Sequence, residues 1–163
     1  MIQVEEAVST LRAYLGKQGL KFTGQRRLIT EVFFDPTFRQ HHPSVEELYL
    51  RVRDRDRRVG YATVYRTLKL LTDCGLANPS RLGDNQTRYE PDVPGEHHDH
   101  LVCTACRAIL EFEEDEIERL QHEVARRLGF RLTDHKMVLY ATPADPCQAT
   151  ACPRRADEAR ARG

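Results

Sequence analysis

The chain has 163 residues, with 25 Lys and Arg against 25 Asp and Glu, 40% hydrophobic residues and 31% charged ones. That length suits one ordinary domain or two small ones, and no run nears the ~18 uninterrupted apolar residues of a membrane span. A net charge of zero argues against nucleic acid, whose binding domains are usually basic, until the chain is divided.

From the N-terminus, MIQVEEAVSTLRAYLGKQGL reads as an amphipathic helix over about residues 3–16. Its early acidic residues do not fit a signal peptide, so the expected location is the cytoplasm. A second helix is expected over about 24–34, with Leu28, Val32 and Phe33 on its apolar stripe. Ser44-Val-Glu-Glu47, following Pro43, has the form of a capping box. Behind it Val45, Leu48, Tyr49 and Val52 recur at i, i+3, i+4 and i+7, a third helix. The fourth helix, Tyr61–Cys74, ends before Gly75 at a C-cap position.

On that fourth helix Val64, Leu68 and Leu71 share one face, and Ala62, Tyr65, Arg66 and Lys69 share the other. Two short polar runs about Gly83-Asp84-Asn85, within Asn78–Glu90, signal a hairpin. Helices followed by a hairpin make a winged helix-turn-helix, with the fourth helix in the recognition position. An Arg there can read guanine O6 and N7 bidentately, and a Tyr can contact a thymine methyl or a phosphate. The alternative is a small helical domain whose basic residues are merely solvated.

Pro91-Asp-Val-Pro-Gly95 supplies two prolines and a glycine, a linker signal. Residues 1–90 hold 15 Lys and Arg against 11 Asp and Glu, while residues 91–163 hold 10 against 14, so +4 meets −4. Four of the five cysteines and five of the seven histidines lie in the acidic half. The expected organisation is a basic domain over 1–90, a linker over 91–95, an acidic domain rich in metal-ligand residues over 96–152, and a charged, disordered tail over 153–163.

The acidic half opens with His97-His98-Asp99-His100. In an extended segment alternate residues point to opposite sides, so His98 and His100 face one way and His97 and Asp99 the other. That pattern can feed two metal sites, each completed from His41, His42, Glu90, Glu111, Glu118 or His135. Imidazole with carboxylate suits Fe(II), Mn(II), Zn(II) or Co(II). Cys103-x-x-Cys106 and Cys147-x4-Cys152 are separated by 40 residues. In a cytosolic chain two close thiol pairs suit tetrahedral structural zinc, with thiol redox chemistry as the rival. Cys74, inside a helix and outside both pairs, reads as packing.

Strands are expected at about 100–103, 108–112 and 131–142, around a helix Glu114–Leu128 with the stripe Ile117, Leu120, Val124 and Leu128. Acidic residues at the start of that helix and Arg126-Arg127 at its end complement the macrodipole, so Glu118 needs no metal to explain it. Three strands and one helix can hardly bury a sheet alone, so a dimer is expected.

Taken in order, Gly19-Leu-Lys-Phe-Thr-Gly-Gln-Arg-Arg27, His42-Pro-Ser-Val-Glu-Glu-Leu-Tyr49, Ala62-Thr-Val-Tyr-Arg-Thr-Leu68, His97-His-Asp-His-Leu-Val-Cys-Thr-Ala-Cys106, Ile117-Glu118 and the C-terminal cysteine pair resemble the ferric uptake regulator (Fur) family. The resemblance covers roughly Leu11 to Cys152. It implies an α+β chain, an N-terminal winged helix-turn-helix followed by a small α/β dimerisation domain. It further implies a metal-dependent homodimeric transcription repressor that binds double-stranded operator DNA and is not an enzyme.

By position, the resemblance implies structural zinc on Cys103, Cys106, Cys147 and Cys152, and a regulatory site of His42, Glu90, His98, His100 and Glu111. It implies an additional site of His97, Asp99, Glu118 and His135, and DNA contacts from Lys21, Tyr65 and Arg66. Peroxide-sensing relatives usually carry aspartate where Glu90 and Glu111 stand, and zinc-sensing relatives often recruit a cysteine to the regulatory site. Glutamate at both positions leans toward Fe(II), with Mn(II), Zn(II) or peroxide as the alternative effector. Two readings of other classes stand beside it: a metal-storage or thiol-redox protein without a DNA role, and a mononuclear metallo-enzyme. The second lacks a His-Glu-x-x-His motif.

Overall fold

Helix α1 (Val4–Lys17) buries Ala7, Leu11 and Leu15, spaced at four residues so that they share one face. It runs into a turn at Gly19, whose φ of +67° a residue with a Cβ rarely adopts. Helix α2 (Gly24–Phe33) starts at Thr23, whose hydroxyl accepts from the Arg26 N–H. The computed structural model describes residues 4–39, 42–81, 86–92 and 98–142. The chain divides into two compact units, Met1–Glu96 and His97–Gly163.

The first unit adds a short helix α3 (Pro36–Arg39), then α4 (Val45–Arg55) and α5 (Tyr61–Asp73). The capping box at the head of α4 forms as its spacing predicts: the Glu47 N–H donates to Ser44 Oγ at 3.2 Å, and the Ser44 N–H donates to Glu47 Oε2 at 2.7 Å. Strands β1 (Ala77–Arg81) and β2 (Thr87–Pro91) pair antiparallel, Ala77 opposite Pro91 and Arg81 opposite Thr87. The core joins Leu11 and Leu15 to Ile29, Val32 and Phe33 of α2, Leu48 and Val52 of α4, and Val64, Leu68 and Leu71 of α5. Leu76, Ala77 and Tyr89 carry it into the hairpin. On α2, Ile29 is fully buried and Leu28 only partly, because that helix packs on α1, α4 and α5 and needs a wider apolar face than its stripe predicted.

The short helix α3 lies outside the expected pattern, since four residues carry no periodicity. Asp35 starts it, accepting from the Thr37 N–H and hydroxyl at 3.0 and 2.7 Å, with Pro36 at the first helical position. The Thr37 donors, with Arg55 adding, hold the Asp35 carboxyl below the usual carboxylate range.

The second unit is β3 (Asp99–Cys103), β4 (Ile109–Phe112), α6 (Asp115–Arg127) and β5 (Val138–Ala141). The sheet order is β4-β3-β5, with β3 and β4 antiparallel and β3 and β5 parallel. The strand expected over 131–142 is four residues long here, Val138–Ala141. Central β3 pairs with β5 only over His100–Cys103; just ahead of it the Met137 carbonyl accepts from the His100 N–H while the Met137 N–H donates to the Asp99 carboxylate, and His135 is left for other contacts. Helix α6 buries no residue completely, and Leu120, Val124 and Leu128 of its stripe are 50%, 42% and 69% exposed. Val102 and Cys103 are the buried hydrophobic residues among the described part of this unit.

The architecture is α+β, a winged helix-turn-helix unit followed by a small α/β unit. Among the described residues no helix is long and apolar enough to cross a membrane. The cap at Ser44 predicts that Ser44→Ala costs about 1 kcal/mol of stability in the first unit. Denaturant unfolding of the full chain, followed by helical circular dichroism, measures that loss.

Candidate metal centres and nucleic-acid face

Helix α5 sorts its side chains as its periodicity requires. Val64, Leu68 and Leu71 are buried, while Ala62, Tyr65, Arg66 and Lys69 are exposed, Tyr65 at 49%. Arg66 and Lys69 enter no ion pair among the described residues, unlike Arg27 (with Glu5 and Glu31), Arg55 (with Asp35) and Arg58 (with Asp56). The face is therefore aromatic and cationic, with its charge uncommitted. Lys21, also exposed, lies on the loop between α1 and α2. Its carbonyl accepts from the Arg26 guanidinium, and the neighbouring Phe22 ring lies 4.7 Å beneath the Arg12 guanidinium.

One residue on this face is absent from the sequence-derived set. Tyr61, the first residue of α5, is 50% exposed and stands one helical turn from Tyr65. The 3.6-residue period could have found it. Its ring meets Tyr49 of α4 edge-on, with centroids 5.6 Å apart and planes at 73°. Burial pushes the Tyr89 hydroxyl above its ordinary value, and the nearby Tyr65 and Tyr61 phenols push the same way.

In the first unit the wing meets the segment ahead of α4. The Tyr89 N–H donates to the Pro43 carbonyl at 3.0 Å, Ser44 bridges to Arg88, and an Arg88 guanidinium N–H donates to the His42 carbonyl at 3.1 Å. These bonds hold His42 in the left-handed region, φ 44°, and bury its ring. His42 Nε2 lies 2.9 Å from Glu90 Oε2, and both residues are buried. A buried imidazole–carboxylate pair is satisfied as a hydrogen bond. It is equally two donors of the kind that borderline divalent ions select.

In the second unit the alternation along β3 divides the donors as expected. His98 and His100 turn the same way, ring centroids 5.1 Å apart. Glu111 is the register partner of His100 across β3–β4, which puts its side chain on that same face, and its carboxylate lies 3.9 Å from His98 Nε2. Asp99 goes to the other side, where Glu118 of α6 and His135 meet it. His135 Nε2 is 3.1 Å from Glu118 Oε1 and 3.9 Å from Asp99 Oδ1, and one ligand atom from each residue lies within 4.8 Å of the others. Asp99 Oδ1 also accepts from the Met137 N–H at 3.3 Å, which fixes its orientation. Glu118 thus does more than complement the helix dipole.

Cys103 ends β3, buried, and Cys106 follows in the turn. The Arg107 N–H donates to the Cys103 carbonyl and the Cys103 N–H to the Ala108 carbonyl, both at 2.9 Å, with Arg107 at φ 64°. The turn thereby carries both thiols on one short arc, a donor set suited to half of a tetrahedral zinc site. Cys74 differs: burial pushes its thiol up, and the thiol donates to the Leu71 carbonyl at 3.4 Å, as packing predicts. His41, His97, Cys147, Cys152, the Gly83-Asp84-Asn85 turn and the 153–163 tail lie outside the described residues.

The family model of the ferric uptake regulator family matches residues 17–140. The ferric uptake regulation protein of Rhizobium leguminosarum bv. viciae is 41% identical over 138 residues, 85% of this chain and 94% of that protein. Two solved structures are similar. The Helicobacter pylori ferric uptake regulator, described with three functional metal binding sites, has a TM-score of 0.77 at 29% identity, over 91% of this chain and 96% of that one. A zinc-bound manganese uptake regulator has a TM-score of 0.64 at 42% identity, over 83% and 99%.

The Asp99–Glu118–His135 group predicts that His135→Ala weakens divalent-metal binding by the chain at least tenfold at one site, a loss of the order that ligand-shell changes produce. Calorimetric titration of the full chain with Mn(II) measures it. Unchanged binding would remove this group from the ligands.

Proposed function

The chain belongs to the ferric uptake regulator family of metal-binding transcription regulators, and from that premise we propose that it is a homodimeric repressor that binds operator DNA when loaded with Fe(II). The observation that carries the reading is the division of nitrogen and oxygen donors between the two units. His42 and Glu90 are paired in the first, and His98, His100 and Glu111 share a sheet face in the second.

One divalent ion taking both halves is the regulatory site of this proposal. Residues 1–90 then act as the DNA-binding domain, 91–95 as the linker, and 96–152 as the metal-binding and dimerisation domain. A metal shared across a linker restricts the angle between two domains, and so favours one arrangement the metal-free chain already samples. In a dimer that arrangement sets the spacing of the two recognition helices against operator half-sites. Arg66 reads bases in the major groove beside Tyr65, and Lys21 enters near the minor groove.

Cys103 and Cys106, with Cys147 and Cys152, hold structural Zn(II). Such an ion cross-links a unit whose described part buries only Val102 and Cys103 among its hydrophobic residues. Asp99, Glu118 and His135, with His97, hold a further divalent ion. The exposed Leu120, Val124, Leu128, Phe130, Leu139 and Tyr140 are covered by a second copy of the chain. Manganese in place of iron is the second reading, favoured by the 42% identity to a manganese uptake regulator.

Operator binding measured anaerobically, with Fe(II), Mn(II) and Zn(II) titrated at matched free concentrations, tests the proposal. If the competent arrangement rises from about 1% to nearly all molecules, operator affinity rises about a hundredfold with the physiological ion. His98→Ala abolishes that rise, and a retained response places the sensor elsewhere. Arg66→Ala weakens binding at least tenfold with dimer and metal content intact, the loss of one bidentate base contact; unchanged affinity removes Arg66 from the contacts.

A further inference from the structure

Tyr61 combines exposure with restraint. Half of its surface is open, yet its ring is seated edge-on against Tyr49 of α4. Tyr49 is itself braced, with the Arg53 guanidinium 5.9 Å from its ring centroid. An aromatic side chain whose ring is packed has already surrendered its rotamer freedom on folding, so a partner met by its hydroxyl incurs little further ordering cost. Such a ring has an apolar body in contact while half of the residue's surface stays open to a partner.

The surroundings select the partner. Tyr61 opens α5, on the same face as Tyr65, and the two preceding arginines are exposed. Arg58 is committed to Asp56 through two N–H···O bonds of 3.0 Å, whereas Arg57 enters no ion pair among the described residues. A neutral donor on an exposed aromatic and cationic helix face suits a phosphodiester oxygen, and tyrosine hydroxyls are among the groups that make such contacts in protein–DNA complexes.

We propose that the Tyr61 hydroxyl donates a hydrogen bond to a DNA backbone phosphate, with Tyr49 as the positioning residue that holds its ring. This inference rests on the DNA-binding reading above and adds to it a contact that locates the helix without reading sequence.

The test uses the Mn(II)-loaded full chain and fluorescence anisotropy on two labelled duplexes: one selected from a random-sequence pool by the unsubstituted chain, the other its scramble. Tyr61→Phe keeps the ring pair and removes only the donor, so the melting temperature is unchanged. Binding to both duplexes is expected to weaken about tenfold, the ratio that one hydrogen bond to a charged group provides. The slope of log affinity against log salt is expected to stay the same, because a neutral phenol releases no counterion.

Unaltered affinity of Tyr61→Phe overturns the proposal. A loss confined to the selected duplex also overturns it, since that marks a base contact. Tyr49→Leu should weaken binding in the native background and add nothing in the Tyr61→Phe background; equal losses in both overturn the positioning role. Failure of the unsubstituted chain to bind any duplex overturns the DNA-binding reading and this inference together, while binding with an inert Tyr61→Phe overturns this inference alone.

Discussion

A β-strand sends successive side chains to opposite faces, and in this chain that rule acts on the strand with most to distribute. β3 is the centre of its sheet, flanked by β4 and β5, and carries Asp99 and His100 with His98 just ahead and Cys103 at its end. The period of two puts His98 and His100 with Glu111 on one side and Asp99 with Glu118 and His135 on the other. A slip of one residue in the β3–β4 register would exchange the faces and break both groups. The cysteine turn at the end of β3 determines where β4 begins, so the thiol pair and the register are parts of one local structure.

The two units are stabilised by different means. The first buries a continuous apolar cluster from four helices and a hairpin, each large side chain contributing roughly 1.5–3 kcal/mol. The second, in its described part, buries two hydrophobic residues and leaves an apolar stripe of α6 and β5 open. Small domains with so little core usually depend on metals or a second subunit, which accords with donors and exposed apolar side chains being concentrated there.

Charge follows a similar division of labour. Some arginines of the first unit outside α5 are ion-paired: Arg27 links α1 to α2 through Glu5 and Glu31, Arg55 reaches Asp35, Arg58 holds Asp56 and Arg88 reaches Glu47. Exposed pairs of this kind add little stability, but they neutralise one another and leave Arg66 and Lys69 as uncommitted charge on the face of α5. A zero net charge for the whole chain therefore says nothing about the charge that a partner would meet.

By itself the sequence determined whatever depends on near neighbours. The capping box at Ser44, the buried and exposed faces of α5, the Cys103-x-x-Cys106 turn and the two-way division of His98, Asp99 and His100 were all legible. Helix and strand periods and caps are set within a few residues. Long-range partners are set by the tertiary structure, and where the sequence named them it did so through the family resemblance and not through any local pattern. The fold began β5 only at Val138, where the ladder on β3 starts, and it joined His42 to Glu90 across 48 residues. It also brought His135 to Glu118, which the sequence could explain without a metal, and set Tyr61 against Tyr49. Such contacts depend on the packing of whole elements, and no local pattern encodes which distant side chain an element will meet.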